Sequence, residues 1–163
     1  MARTKLEHLD KTDRKILNIL QDDGSTSNVE LARRIKLAPA TTLDRVRKLR
    51  SQGYILKVVA LLDARMVDRD TIAFVNVSLG KHGVDHVNTF REHVRQLPEV
   101  LECYHVSGES DFLLKIVASD ISTVEEFLLH RLTGASEISR IHTSFVLSTV
   151  KYDTRIPIPE ESA

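Results

Sequence analysis

The sequence has one cysteine, no tryptophan, and only three tyrosines and five phenylalanines among 163 residues. A single cysteine, Cys103, excludes an internal disulfide framework and fits a reducing compartment. Long apolar runs are missing too. The longest is Val58-Val59-Ala60-Leu61-Leu62, far short of the roughly 20 apolar residues that a membrane span needs. Met1-Ala2-Arg3-Thr4-Lys5 leads into charged sequence rather than an apolar segment, so no secretory signal is read there. The six glycines form no phosphate-cradling loop. Net charge is absent as well, with 23 Lys and Arg against 23 Asp and Glu. Taken whole, that balance argues against a nucleic-acid binder, since such domains are usually basic.

What is present reverses that last inference. Residues 1–60 hold 13 basic and 7 acidic side chains, a surplus of six positive charges; residues 61–163 hold 10 and 16, a surplus of six negative ones. The zero is a sum of opposite halves, as expected of a nucleic-acid arm joined to a different domain. A hydrophobic share of 42% is enough for each half to pack a core.

The first half reads as three short helices. Asp10 is an N-cap for a helix to Gln21, whose apolar face is Ile16, Leu17, Ile19 and Leu20. Asp22-Asp23-Gly24 ends it. Ser27-Asn28-Val29-Glu30 is a capping box, and Val29, Leu31, Ala32 and Ile35 of the helix it opens are expected inward. A tight connection, Lys36-Leu37-Ala38, precedes Pro39, whose missing N–H costs nothing at a first helical position. The third helix is expected to run to Gln52, with Gly53 as its left-handed cap and Leu43, Val46, Leu49 and the Arg50 stem inward. Tyr54–Leu62 is β-rich and reads as a strand leaving the domain.

From Thr71 the texture changes. Strands are expected at 71–79, 100–107, 112–118 and 138–150, and helices at 84–96 and 121–132. Turns are expected at Gly80–Gly83 and Gly108–Asp111, with Pro98 stopping the first of these helices. The order βαββαβ is the ferredoxin-like split arrangement, so the fold class is α+β. Two helices cover one face of four strands, and association through the uncovered face is expected. Residues 153–163, with two prolines and two glutamates, read as a mobile tail.

Helices two and three form a helix-turn-helix candidate, in which the second helix enters the major groove. Projection at 100° per residue places Thr41, Asp44, Arg45, Lys48 and Gln52 outward, flanked by Thr42 and Arg47. Arg pairs bidentately with guanine, Thr bonds a base or meets a thymine methyl, and Lys neutralises phosphate. Arg33, Arg34 and Lys36 are placed to hold the DNA backbone, and the helix start at Ser27 and Asn28 offers amides to a phosphate. Asp44 is expected to pair with Arg47 or Lys48. The DNA-contacting set is thus Ser27, Asn28, Arg33, Arg34, Thr41, Thr42, Arg45, Arg47 and Lys48.

Three stretches carry a resemblance: Asp10-Lys11-Thr12-Asp13-Arg14-Lys15-Ile16-Leu17, Ser27-Asn28-Val29-Glu30-Leu31-Ala32, and Arg45-Val46-Arg47-Lys48-Leu49 followed by Gln52-Gly53-Tyr54-Ile55. A fourth, Val106-Ser107-Gly108-Glu109-Ser110-Asp111-Phe112-Leu113-Leu114-Lys115, lies in the second half. Together they resemble the leucine-responsive/asparagine-regulator (Lrp/AsnC, feast/famine) transcription regulators over residues 8–150. The resemblance implies a winged helix-turn-helix over 1–55, a hinge strand and linker over 56–69, an effector-binding and oligomerisation domain over 70–150, and a tail over 151–163. It further implies homodimers through the C-terminal sheets, assembled into tetramers or octamers, that bind and bend DNA and take an amino acid between dimers. Ser110 stands where the family often has an aromatic ring, and Ala38 where it often has Ser.

The Gly108 turn is the candidate effector site, comprising Ser107, Gly108, Glu109, Ser110 and Asp111. A zwitterionic amino acid needs donors for its carboxylate and an acceptor for its ammonium. The Gly108–Ser110 amides with the Ser107 and Ser110 hydroxyls suit the first, and Asp111 the second. Gly and Asp are also ordinary turn residues.

Catalytic and metal sets are incomplete. Gly108-x-Ser110 lacks the second glycine of a nucleophile elbow. Cys103 and His105 read as a packed thiol beside a polar ring, and His82, His86 and His93 have no completing carboxylate or cysteine. No enzyme activity, metal or cofactor is expected. The expected protein is a cytoplasmic, nucleoid-associated regulator that binds a pseudo-palindromic site on double-stranded DNA and responds to an amino acid, without a membrane partner. The alternative is an amino-acid-sensing regulatory subunit of a metabolic enzyme, for which the basic first 60 residues would have no use. A ferredoxin-like enzyme lacks its acid–base or nucleophile set.

Overall fold

A computed structural model describes residues 9–80, 83–134 and 138–159. His82 therefore lies outside the described residues. The chain forms two compact units, Met1–Leu61 with Lys151–Ala163, and Leu62–Val150. No helix among the described residues is long and apolar enough to cross a membrane.

The first unit contains α1 (Lys11–Asp22), α2 (Asn28–Ile35) and α3 (Pro39–Ser51). Asp10 caps α1 by accepting from the Asp13 amide at 2.7 Å. Ile16, Leu17, Leu31, Ile35 and Leu49 are buried together, with Val46, Tyr54 and Ile55 packed against them. Between α2 and α3 the chain turns through Lys36, a non-glycine residue in the left-handed region at φ 60°, which lets the Leu37 amide reach the Ala32 carbonyl. Gly53, at φ 79°, ends α3: its amide bonds Arg50 O and the Tyr54 amide bonds Leu49 O, a Schellman cap.

Several expectations are corrected in this unit, and Val29, expected inward, is exposed. The capping box is half formed. Ser27 Oγ accepts from the Glu30 amide at 3.2 Å, but the Glu30 carboxylate turns to Arg33 and Arg34 at 2.8 and 2.7 Å. Two guanidiniums outcompete one amide for it. The tail, expected to be mobile, is held on α1 over its described residues 155–159. Gln21 donates from Nε2 to Ile156 O at 3.2 Å and accepts the Ile156 amide at Oε1 at 2.7 Å. Arg155 pairs with Asp22 at 2.9 Å, Arg14 donates to Pro159 O, and Ile158 joins the apolar core.

Tyr54–Leu62, expected as a strand, forms none. A strand needs a ladder partner, and no other strand of this unit supplies one among the described residues. Leu56, Val58, Val59, Leu61 and Leu62 are left exposed.

In the second unit a 3₁₀ turn (Ala64–Val67) precedes β1 (Thr71–Leu79), α4 (Val84–Arg95), β2 (Val100–His105), β3 (Phe112–Ala118), α5 (Ile121–Phe127) and β4 (Ile138–Phe145). The sheet order is β2-β3-β1-β4, antiparallel throughout. The expected helix 121–132 is α5 followed by one π-helical turn, Leu128–Leu132. One face is the core: Val75, Val77, Leu114 and Ile116 pack with Phe90, Val94, Val124 and Phe127. Phe90 and Phe112 bring their rings within 4.6 Å. The strand period of two sends Phe74, Asn76, Ser78, Leu113 and Lys115 to the other face, which no helix of the unit covers among the described residues.

Candidate functional site

The outward face of α3 is rotated from the sequence projection. Thr42 and Leu49 are buried, Arg45 and Val46 half-buried, while Leu43 stands 37% exposed. Two polar side chains turn inward because each finds a partner there. Thr42 Oγ1 donates to Ala38 O at 3.0 Å. Arg45 Nη1 lies 2.6 Å from Asp10 and 2.8 Å from Asp13. Asp13 is itself buried, so Arg45 supplies the counter-charge without which that carboxylate would be costly. Partial burial pushes the Asp10 carboxyl up, but bonds from the Asp13 amide and Arg45 outweigh it and hold it below its ordinary value.

Thr42 and Arg45, expected among the DNA-contacting residues, are thus each engaged within the head. Asn28 is likewise committed: its Nδ2 donates to Pro39 O at 2.8 Å, tying the starts of α2 and α3 together. Ser27 spends its hydroxyl on the cap of α2. Thr41, Asp44, Arg47 and Lys48 face solvent, and so do Ala40 and Ser51; Leu43 and Arg50, expected inward, are exposed as well. Asp44 pairs loosely with Arg47 at 3.8 Å, as expected from their spacing. Arg33 and Arg34 are exposed but share Glu30, and bonds from Arg33 and then Arg34 pull its carboxyl down to about 2. That carboxylate cancels one of the two positive charges.

In the second unit the β2–β3 turn is built around Asp111. Its amide donates to Val77 O and its carbonyl accepts from the Val106 amide, while Oδ2 accepts the Leu79 amide at 2.7 Å. Asp111 thus clamps the turn to β1, and the residues that line the adjoining pocket do not include it. Gly108 is at φ 127°, a conformation open to glycine. The turn leans across β1: Glu109 O accepts from Ser78 Oγ at 3.4 Å and from Arg140 Nη2 at 3.3 Å. Beneath it lies a pocket of about 390 Å³. Ser107, Glu109 and Ser110 line it from the turn with Val106, and Asn76, Arg140 and His142 line it from the sheet. The last three were not singled out from sequence. Only the register could have found them, because Arg140 faces Ser78 and His142 faces Asn76 across the β1–β4 ladder.

No catalytic pair emerges from Cys103 and His105. Desolvation pushes the Cys103 thiol up, with nearby Arg91 opposing, and the His105 ring sits 5.0 Å from that of Phe112. Among the described residues no three His, Cys, Asp or Glu side chains gather to hold a metal.

Known proteins match both units. Residues 9–55 match the winged helix-turn-helix DNA-binding pattern, and residues 72–156 match the Lrp/AsnC ligand binding domain. The leucine-responsive regulatory proteins of Klebsiella pneumoniae and Escherichia coli are each 39% identical over 150 residues, which is 92% of this chain and 92% of theirs. A transcriptional regulator of Neisseria meningitidis, solved as a complex with L-Met, is 38% identical, with a TM-score of 0.87 over 91% of this chain and 96% of its own. An AsnC family regulator of Agrobacterium tumefaciens is 34% identical, with a TM-score of 0.86 over 91% and 97%. A DNA-binding head, a ligand-binding body and relatives of this similarity along nearly the whole chain place the protein in the Lrp/AsnC family of DNA-binding transcription regulators.

Proposed function

We propose that this regulator reads its operator with the exposed face of α3 and responds to an amino acid held under the Gly108 turn. Arg47 is the base-reading residue and Lys48 the phosphate contact, with Thr41 and Leu43 beside them. Arg33 and Arg34 hold the DNA backbone at reduced charge, and the α2 start at Ser27 and Asn28 contributes backbone amides rather than side chains. The observation that carries this reading is the division of labour on α3. Arg45 is taken up by Asp10 and Asp13, whereas Arg47, 70% exposed, stands on the outer face.

The protein works as a homodimer or a larger even assembly, tetramer or octamer. Two features support this: the uncovered face of the sheet and the exposed apolar run Leu56–Leu62, which needs cover. Two heads per dimer call for a pseudo-palindromic site, with half-sites about 34 Å apart or a multiple of that. The units divide functionally near residues 55 and 70, and the tail belongs with the head. The protein acts by binding rather than catalysis, in the cytoplasm and on the nucleoid.

The amino-acid class of the effector is supported by the polar turn and by relatives named for leucine or solved with L-Met. An effector acts only through unequal affinity for two states of the assembly. The test is an electrophoretic shift on captured genomic fragments with each of the twenty amino acids. At least one should change the affinity or the pattern of shifted species, and no change with any of them would overturn the effector reading.

A further inference from the structure

Resting on that reading of the Gly108 pocket, we infer that the effector carries a second carboxylate: it is a dicarboxylic amino acid, recognised at its side chain by Arg140 with His142 beside it. The walls that one chain supplies carry one apolar side chain, Val106; every other lining residue is polar or charged. An aliphatic amino acid needs an apolar wall for its side chain, because apolar contact is the main source of affinity for such a group. Here that side chain would lie on Asn76, Ser110, Arg140 and His142, and closure of the pocket would strip water from a guanidinium without giving it a partner.

The charges match a dicarboxylic ligand group by group. Such a molecule brings one ammonium and two carboxylates. Glu109, in the turn, is the carboxylate available to the ammonium, since Asp111 is engaged with the Leu79 amide and outside the lining. The Ser107 and Ser110 hydroxyls and the turn amides take the α-carboxylate. Arg140 reaches the pocket from the sheet, two residues from His142 on the same face of β4. It touches the turn only through the Glu109 carbonyl, at 3.3 Å, which leaves the rest of its donor fork for a bidentate carboxylate. One anionic group from the turn and one cationic group from the sheet set the ligand's orientation. A volume near 390 Å³ is at the lower end for ligand sites, generally about 300–1,000 Å³, as fits a single free amino acid.

The test is titration calorimetry of the full-length oligomer against L-glutamate, L-aspartate, their uncharged isosteres L-glutamine and L-asparagine, and L-leucine and L-methionine. One of the two acids should bind at least tenfold more tightly than its own amide isostere and than leucine or methionine. Arg140→Gln, its folding checked by thermal melting, should bring the acid-to-amide ratio close to one, and Arg140→Lys should restore part of it. The comparison of acid with amide on the unaltered protein stands even if a variant folds poorly. Tighter binding of leucine or methionine than of either acid overturns this inference and leaves the amino-acid reading intact. Binding of none of the twenty amino acids overturns both. An acid preference that survives Arg140→Gln overturns the role given to Arg140.

Discussion

Arg45 Nη1 sits 2.8 Å from Oδ1 of Asp13, so a cation on the recognition helix neutralises a carboxylate buried in the first helix. The same guanidinium reaches Asp10, the residue that caps α1. One side chain thereby joins α3 to the start of α1 and fixes the angle at which α3 is presented.

Arg45→Ala is expected to destabilise the head by about 1–3 kcal/mol, the range for losing hydrogen bonds to charged groups, and to weaken operator and random DNA alike. Thermal melting and paired anisotropy titrations check it. A loss confined to the operator would return Arg45 to base reading.

Arg47→Ala is expected to leave stability within about 0.5 kcal/mol, as for an exposed residue, and to reduce operator affinity by about tenfold or more with little effect on random sequence. Lys48→Ala should weaken both sequences and lower the slope of log affinity against log salt by about one. Salt titrations of the two variants side by side separate the roles.

Glu30 has a folded pKa of about 2 against an ordinary 4.5. The folded value is the lower one, so the paired carboxylate stabilises the head above about pH 4.5 and that contribution fades as pH falls toward 2. The melting-temperature gap between wild type and Glu30→Gln should therefore be largest near neutrality, shrink at pH 3, and shrink with salt because the pair is exposed. Glu30→Gln also frees Arg33 and Arg34, and its DNA affinity should fall more steeply with salt than that of wild type.

Asp111→Ala is expected to lower effector affinity through the shape of the turn, since the side chain holds the Leu79 amide rather than the ligand. Asp111→Asn, which keeps an acceptor, should recover much of it. Calorimetry of the two variants decides: equal loss in both would mean that the charge itself is sensed.

Truncation after Tyr152 is expected to lower the melting temperature of the head by removing Ile158 from its core and the bonds to Gln21 and Asp22. Ile158→Ala alone should cost about 1 kcal/mol, a half-buried aliphatic side chain. An unchanged melting curve for both would show that the tail does not brace α1.

Apolar spacing and turn chemistry make the elements legible in the sequence. Ser27, Pro39, Gly53 and Pro98 mark boundaries where the structure has them, and alternation along 71–79 and 112–118 gives the two central strands. What was not legible depends on contacts distant in sequence. Thr42 and Arg45 look outward by polarity and point inward because Ala38, Asp10 and Asp13 satisfy them. The tail looks mobile by composition and is held by Gln21 and Asp22, 135 and 133 positions away from their partners. Arg140 and His142 reach the pocket only through strand register, which periodicity does not supply.

Genome-wide capture of the DNA bound by the full-length protein, wild type against Arg47→Ala, tests the account most directly. Wild-type fragments should share a pseudo-palindromic sequence with half-sites about 34 Å apart or a multiple of that. Arg47→Ala should lose that shared sequence while keeping salt-sensitive binding. Wild-type fragments with nothing in common, or an unchanged shared sequence in the variant, would contradict sequence reading by the outer face of α3.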